Sequence, residues 1–229
     1  MLKKTKGVVL SAIRYKESSI IVRIFSRELG LKSYIINGVR TQGAKSKAAL
    51  YQPMTLLDLV VYEKEGAGLQ RISEAKIDYA YQLIPFDFVR SGILMFMAEV
   101  CSKTLYENYQ NEWLFDFLKS SLKQLDQKNI DIKHFPLVFL IQEANYLGFG
   151  PEIASDYLEE SRTLPFSPEE LPLVHEYLEK LIEEGFLCDF KAGIQIRRKL
   201  LDYLLNFFSE QLDNSSPWKS MAILRQLMA

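Results

Sequence analysis

Ser19-Ile20-Ile21-Val22-Arg23-Ile24-Phe25-Ser26, a break at Arg27-Glu28-Leu29, then Gly30-Leu31-Lys32-Ser33-Tyr34-Ile35-Ile36-Asn37-Gly38: this stretch decides the fold. Both runs are rich in β-branched and aromatic residues, and turn chemistry bounds each of them, so they read as two neighbouring strands. Thr5–Tyr15 precedes them with the same composition. Thr55–Tyr62 and Leu69–Asp78 follow, separated by Glu65-Gly66-Ala67-Gly68. Five short strands in the first ~80 residues predict a small closed barrel, and the long gap at Val39–Tyr51, between strands three and four, is the layout of an OB-fold.

After Pro85 the period changes from two to that of a helix. Apolar residues recur at helical spacing over Asp87–Glu107 and Trp113–Leu125, and Phe135–Leu147 is apolar almost throughout. Ser167-Pro168-Glu169-Glu170 predicts a helix start, with Ser167 as N-cap, Pro168 in the first turn and Glu170 completing a capping box, and the helix running to about Glu184 before Gly185. Ile194–Leu212 and Pro217–Met228 complete the set. The predicted class is α+β by segregation: an N-terminal five-stranded OB-fold barrel over residues 1–80, then a C-terminal helical bundle over 81–229.

Charge is divided along the same line. Residues 1–50 hold eleven Lys and Arg against Glu17 and Glu28, a net +9 in a chain whose total is −1, which leaves −10 for the remainder. A segment of concentrated positive charge points to a polyanionic partner, and the acidic helical part to protein partners. The 229 residues are 48% hydrophobic, enough for a sizeable core. No apolar run approaches the roughly 18–20 residues of a membrane span, and the basic start lacks a signal-peptide cleavage site. A cytoplasmic, nucleoid-associated protein without a membrane partner is expected.

Reactive constellations are lacking. Cys101 and Cys188 are the only cysteines, in apolar helical contexts that predict buried thiols rather than metal ligands. His175-Glu176-Tyr177-Leu178-Glu179 has Glu where a zinc helix needs its second His. Gly148-Phe149-Gly150 follows a helix rather than a strand and reads as helix termination, not as a dinucleotide loop. No enzymatic activity and no cofactor are expected.

Strand alternation supplies the binding chemistry. Arg23 and Phe25 share one face of strand two, and Lys32 and Tyr34 one face of strand three. Brought together across the turn, they make a surface of alternating cations and aromatics. Such surfaces bind single-stranded nucleic acid, cations tracking phosphates while bases stack. A one-residue change of register would instead make Phe25 and Tyr34 barrel core. The Gly-containing loop Arg40–Lys47 is a second basic element. The candidate nucleic-acid-binding residues are therefore Arg14, Lys16, Arg23, Phe25, Arg27, Lys32, Tyr34, Arg40, Lys45 and Lys47; no catalytic or metal residue is assigned. A protein adaptor that grips an acidic partner through the OB-fold, and an RNA-binding regulator, remain open alternatives.

The residues also carry a family resemblance. Lys6-Gly7-Val8-Val9-Leu10, Glu17-Ser18-Ser19-Ile20-Ile21-Val22, Ile24-Phe25-Ser26-Arg27-Glu28-Leu29-Gly30, Asn37-Gly38-Val39-Arg40, Lys45-Ser46-Lys47 and Leu50-Tyr51-Gln52-Pro53-Met54 occur in that order. Gly148-Phe149-Gly150-Pro151 and Trp218-Lys219-Ser220 add two later elements. Together they resemble the bacterial DNA repair and recombination mediator family RecO. The resemblance implies an OB-fold followed by a helical domain, binding of single- and double-stranded DNA, and annealing of complementary strands. It also implies partnership with RecR and with the acidic C-terminal tail of single-strand-binding protein, and, indirectly, help in loading RecA. Many members carry a four-cysteine zinc module after the Gly-aromatic-x-Pro element. Residues 152–160 here contain no cysteine, which implies a zinc-free member.

Overall fold

The computed structural model describes residues 1–39, 48–64, 66, 68–160, 164–213 and 216–227. Five strands, β1 (Leu2–Tyr15), β2 (Ser19–Ser26), β3 (Gly30–Ile36), β4 (Leu56–Tyr62) and β5 (Gln70–Tyr79), close into a barrel in the order β1-β2-β3-β5-β4. All pairings are antiparallel except β3 with β5. This is the OB-fold order expected from the sequence. β1 closes the barrel because it is long enough to pair twice, with β4 through Leu2–Val8 and with β2 through Gly7–Tyr15. Its register slips between Val9 and Ser11, a bulge that turns Ser11 and Ile13 to the outer face. Val9, Val22, Ile24, Tyr34, Ile36, Leu57, Leu59 and Val61 fill the interior.

Helices follow: α1 (Phe88–Thr104), α2 (Glu112–Leu125), α3 (Phe135–Leu147), α4 (Ala154–Glu160), α5 (Leu171–Glu184), α6 (Ile194–Gln211) and α7 (Ser220–Leu227). Packing gathers the chain into two units, Met1–Gln82 with Met97–Lys123, and Leu83–Phe96 with Gln124–Ala229. The first unit is thus the barrel together with the end of α1 and most of α2.

In the second unit α3 is the buried centre that its apolar sequence predicts, and α5 and α6 pack on it. It ends at Gly148, whose φ of 86° is a left-handed cap that favours glycine. Phe149 then turns back against Phe207 and Phe208 of α6. His134 is buried before α3, its Nδ1 2.6 Å from the Tyr177 hydroxyl; burial keeps this imidazole below its usual pKa. Both cysteines are buried free thiols.

One helix start differs from expectation. α5 begins at Leu171, not after Ser167, although the Ser167 N–H does donate to the Glu170 carboxylate at 2.9 Å. Pro172 gives the reason. In a helix begun at Pro168 its ring would strike the carbonyl four residues back, whereas in the first turn of α5 it is tolerated. Among the described residues, no helix is long and apolar enough to cross a membrane.

A charge cluster ties α2 to the barrel within the first unit. Asp78 of β5 accepts from Lys119 of α2 at 2.6 Å and from Lys6 of β1, and Lys6 also reaches Asp58 of β4 at 2.9 Å. Burial works to raise the Asp78 carboxyl, but the hydrogen bonds from Lys119 and Lys6 outweigh it and hold the group below its usual range. A carboxyl depressed in the folded state stabilises above its unfolded pKa of about 4, and that contribution disappears as pH falls through the folded value. Asp78→Asn should therefore lower stability at pH 7 by about 2 kcal/mol and flatten the decline on the acid side. Urea unfolding at pH 7 and at successively lower pH, through the carboxylate range, checks both, and an unchanged acid limb would refute the assignment.

Candidate nucleic-acid interface

The outer face of β2 and β3 is where an OB-fold commonly meets its ligand, and the register of that pair decides what the face carries. Ser26 lies opposite Gly30, so Phe25 faces Leu31, Arg23 faces Ser33, Ile21 faces Ile35, while Val22 faces Tyr34 and Ile24 faces Lys32. Opposed residues share a face. Arg23 and Phe25 therefore lie on the outside with Leu31, Ser33 and Ile35, and Tyr34 and Lys32 lie on the other side with Val22 and Ile24.

The expected four-residue surface is thereby corrected. Tyr34 is 1% exposed and part of the barrel core; burial raises its phenol well above the usual range. Phe25 is 0% exposed and, though on the outer face, packs against Tyr109 and Phe115 with ring centroids 6.4 and 6.2 Å away. Neither ring is free to stack on a base. The sequence assigns them a common exposed face because a one-residue slip in pairing exchanges inside for outside.

What covers Phe25 is the chain's own segment 102–116. Leu31 N–H donates to the Tyr109 carbonyl, and Asn108 N–H donates to the Leu31 carbonyl, each at 2.8 Å. Gly30 permits this approach. Its φ is +69°, and a Cβ there would sit 2.4 Å from the Tyr109 carbonyl oxygen. Polar contacts seal the seam. Arg23 donates to the Leu105 carbonyl at 3.1 Å. Ser33 N–H donates to the Glu107 carboxylate at 3.0 Å, and Lys32 to Asn108 Oδ1 at 2.6 Å. Arg27 is bidentate on Asp116 at 2.9 and 3.0 Å and meets Glu112 at 2.9 Å. The Asp116 hydrogen bond raises the guanidinium pKa. Arg23, Arg27 and Lys32 thus direct their donors within the protein.

The upper end of the same face is left open. Ile13, Ile21, Ile35 and Arg71 form one continuous cross-strand row over β1, β2, β3 and β5. Ile13 is 60% exposed, Ile21 and Ile35 are half-buried, and Arg71 is exposed. Tyr15, half-buried, lies on the same face two residues beyond Ile13, with the Lys16 ammonium 5.3 Å from its ring centroid. Arg14 and Lys16 are exposed at the hairpin tip. Beside the row, a groove of about 390 Å³ runs between β3 and β5, lined by Ile35, Arg71, Leu50 and Tyr51. Ser18 and Ser19 hold the chain that leaves β3, through the Val39 N–H at 3.0 Å and Asn37 Oδ1 at 2.9 Å. Arg40, Lys45 and Lys47 lie outside the described residues.

Of the residues expected to bind nucleic acid, Arg14 and Lys16 are thus placed at the open end, Phe25 and Tyr34 are core, and Arg23, Arg27 and Lys32 bond to the covering segment. Arg71, Tyr15 and the isoleucine row join the candidate site only in the structure. The length of one turn holds the signal for part of this. Three residues between Ser26 and Gly30 make odd-numbered residues face odd-numbered ones, so Arg23 belongs with Ser33 and Ile21 with Ile35.

Comparison with known proteins agrees with this architecture. A family model described as Recombination protein O N terminal matches residues 1–81, and one described as Recombination protein O C terminal matches residues 85–213. The chain is similar to the DNA repair protein RecO of Flavobacterium psychrophilum, 32% identical over 236 residues that cover 99% of each chain. It is similarly related to that of Flavobacterium johnsoniae, 32% identical with 99% of each covered. With that of Phocaeicola vulgatus it shares 35% identity over 69% of this chain and 66% of the relative.

Because Phe25 is packed rather than presented, Phe25→Ala should cost about 3–5 kcal/mol of stability and leave the oligonucleotide affinity of the folded fraction unchanged. Denaturant unfolding together with fluorescence anisotropy at a temperature where the variant remains folded tests this. Lower affinity at preserved stability would restore the stacking role.

Proposed function

Since the chain belongs to the RecO family of DNA repair proteins, we propose that it is a recombination mediator that binds single- and double-stranded DNA through the open end of its barrel. It anneals complementary strands and helps RecA to load onto single strands coated by single-strand-binding protein. RecR and the acidic tail of the single-strand-binding protein are its protein partners. It acts by binding, without catalysis.

The observation that carries the DNA site is the trio Arg14, Lys16 and Arg71, exposed at one end of the barrel and without an ion-pair partner among the described residues. Arg40, Lys45 and Lys47 follow shortly after β3 in the sequence and add three cations to the same stretch of chain. Arginine and lysine at the phosphates displace condensed counterions, and this effect is blind to sequence, as a mediator acting on any broken or gapped DNA requires. Annealing follows from the same physics. Neutralising two complementary strands lowers their repulsion while they search for register.

Charge reversal at Arg14, Lys16 and Arg71 together should weaken single-strand binding and reduce the log–log salt slope by about 2, at roughly 0.7 for each phosphate that is no longer neutralised. Arg27→Glu, which removes the ion pairs to the covering segment, should reduce stability more than the salt slope. Anisotropy titrations of a labelled oligonucleotide across a salt series measure the slopes. An unaltered slope in the triple variant would place the DNA elsewhere.

A further inference from the structure

The row Ile13–Ile21–Ile35 has no role in phosphate binding, yet it lies open between cations. Its neighbours explain why it is left uncovered. The row below it, Ser11–Arg23–Ser33, is closed by the 102–116 segment, and the cover stops there. At one end of the isoleucine row stands Arg71 with the groove of Leu50 and Tyr51; at the other are Tyr15 and Lys16. Glu17 is exposed at the tip, and the Glu107 carboxylate is bonded to Ser33. Four strands at about 4.8 Å spacing give the row a length of roughly 14 Å.

We propose that this row, with Tyr15, is a base-contact surface for single-stranded nucleic acid: phosphates lie on Arg14, Lys16 and Arg71, and the unpaired bases lie against the isoleucines and the Tyr15 ring. This rests on the DNA-binding reading above and adds to it which form of DNA the face takes. A duplex offers such a face only phosphates and groove edges, because its base planes are stacked inside. A single strand exposes base planes, which are apolar and can bury themselves on an aliphatic row. Cations at both ends favour a polyanion over an apolar protein surface. Neither isoleucine nor the tyrosine plane distinguishes one base from another, so the contact is indifferent to sequence.

The test compares a labelled thymidine oligomer with an abasic oligomer of equal length and charge, by anisotropy at moderate salt. The wild-type protein should prefer the thymidine strand by about tenfold, the scale of one base against a ring. In Ile13→Ser/Tyr15→Ser, both positions being solvent-accessible, affinity for the thymidine strand should fall to that for the abasic strand. Arg71→Gln should weaken both strands by the same factor and so keep the preference. Thermal melting establishes that each variant is folded. Equal wild-type affinity for the two strands overturns the proposal while the phosphate-binding site stands. A preference retained in the double variant also overturns it and leaves the row as a protein-docking face. If neither oligomer binds at low salt, the DNA-binding reading falls, and the base-contact surface with it.

Discussion

Everything on the outer face of this barrel depends on two backbone hydrogen bonds, between Leu31 and the carbonyl and amide of Tyr109 and Asn108. β3 pairs with β5 only at Tyr34 and Ile35, so its first residues would otherwise be left with unsatisfied donors and acceptors. Residues 108–109 act as the missing strand. Once they dock, Tyr109 and Phe115 must cover Phe25, and Arg23, Ser33 and Arg27 find partners on the same segment. Gly30 makes the docking sterically feasible, since any larger residue would drive its Cβ into the Tyr109 carbonyl. The usual ligand face of an OB-fold is therefore half occupied by the protein itself, and what remains is the end where the cover stops.

The cover also changes what the charge distribution means. The +9 of the first fifty residues is not a +9 surface. Lys3 pairs with Glu63, Lys6 with Asp58 and Asp78, and Arg27 with Glu112 and Asp116. Each of those carboxylates comes from the acidic remainder of the chain, between residues 58 and 116, and each is in the same packing unit as the barrel. Much of the division seen along the sequence is thus cancelled in space. Arg14 and Lys16 at the β1–β2 tip and Arg71 beside β3 are exposed and outside these pairs, as are Lys4, Lys64 and Lys76 elsewhere on the barrel. Net charge by segment points to a polyanionic partner; pairing in three dimensions decides which cations of the barrel are left to meet one.

The barrel is legible in the sequence because strand formation here is a local matter. β-branched runs, Gly30, Asn37-Gly38 and the Gly66–Gly68 turn place all five strands to within a few residues, and the long gap before β4 marks the OB order. The helices are legible for the same reason, except that Pro172 overrides a strong capping signal at Ser167. The site is less so. The face on which a side chain lies depends on register, and register depends on the number of residues in one turn and on a bulge at Leu10 that no composition signals. That a segment some eighty residues downstream covers Phe25 is a tertiary fact. Asn108 and Tyr109, two polar-looking residues between helices, carry no local mark of becoming a strand partner. Arg71 is equally unmarked, because β5 reads as an ordinary amphipathic strand, and its pairing with β3 is parallel and confined to Gln70 and Arg71.

As the ligand surface proposed above, an aliphatic row would be unusual for an OB-fold, and its chemistry would suit a protein that has to let go. Aromatic platforms hold each base by about 1–3 kcal/mol, and a series of them makes a strand slow to leave. Isoleucine offers burial without the orientation of a stacked ring, and it offers no hydrogen bond that would favour one base over another. Phosphate contacts, by contrast, are shared by single strands and duplexes alike. A surface that combines a few free cations with an aliphatic row therefore holds an unpaired strand somewhat more tightly than a paired one. On the reading proposed above, two complementary strands that met on it would leave the isoleucines for each other, and only the salt-sensitive phosphate contacts would remain. Strand pairing would then itself weaken the protein's hold, so that release would be driven by base pairing and would need no separate chemical step.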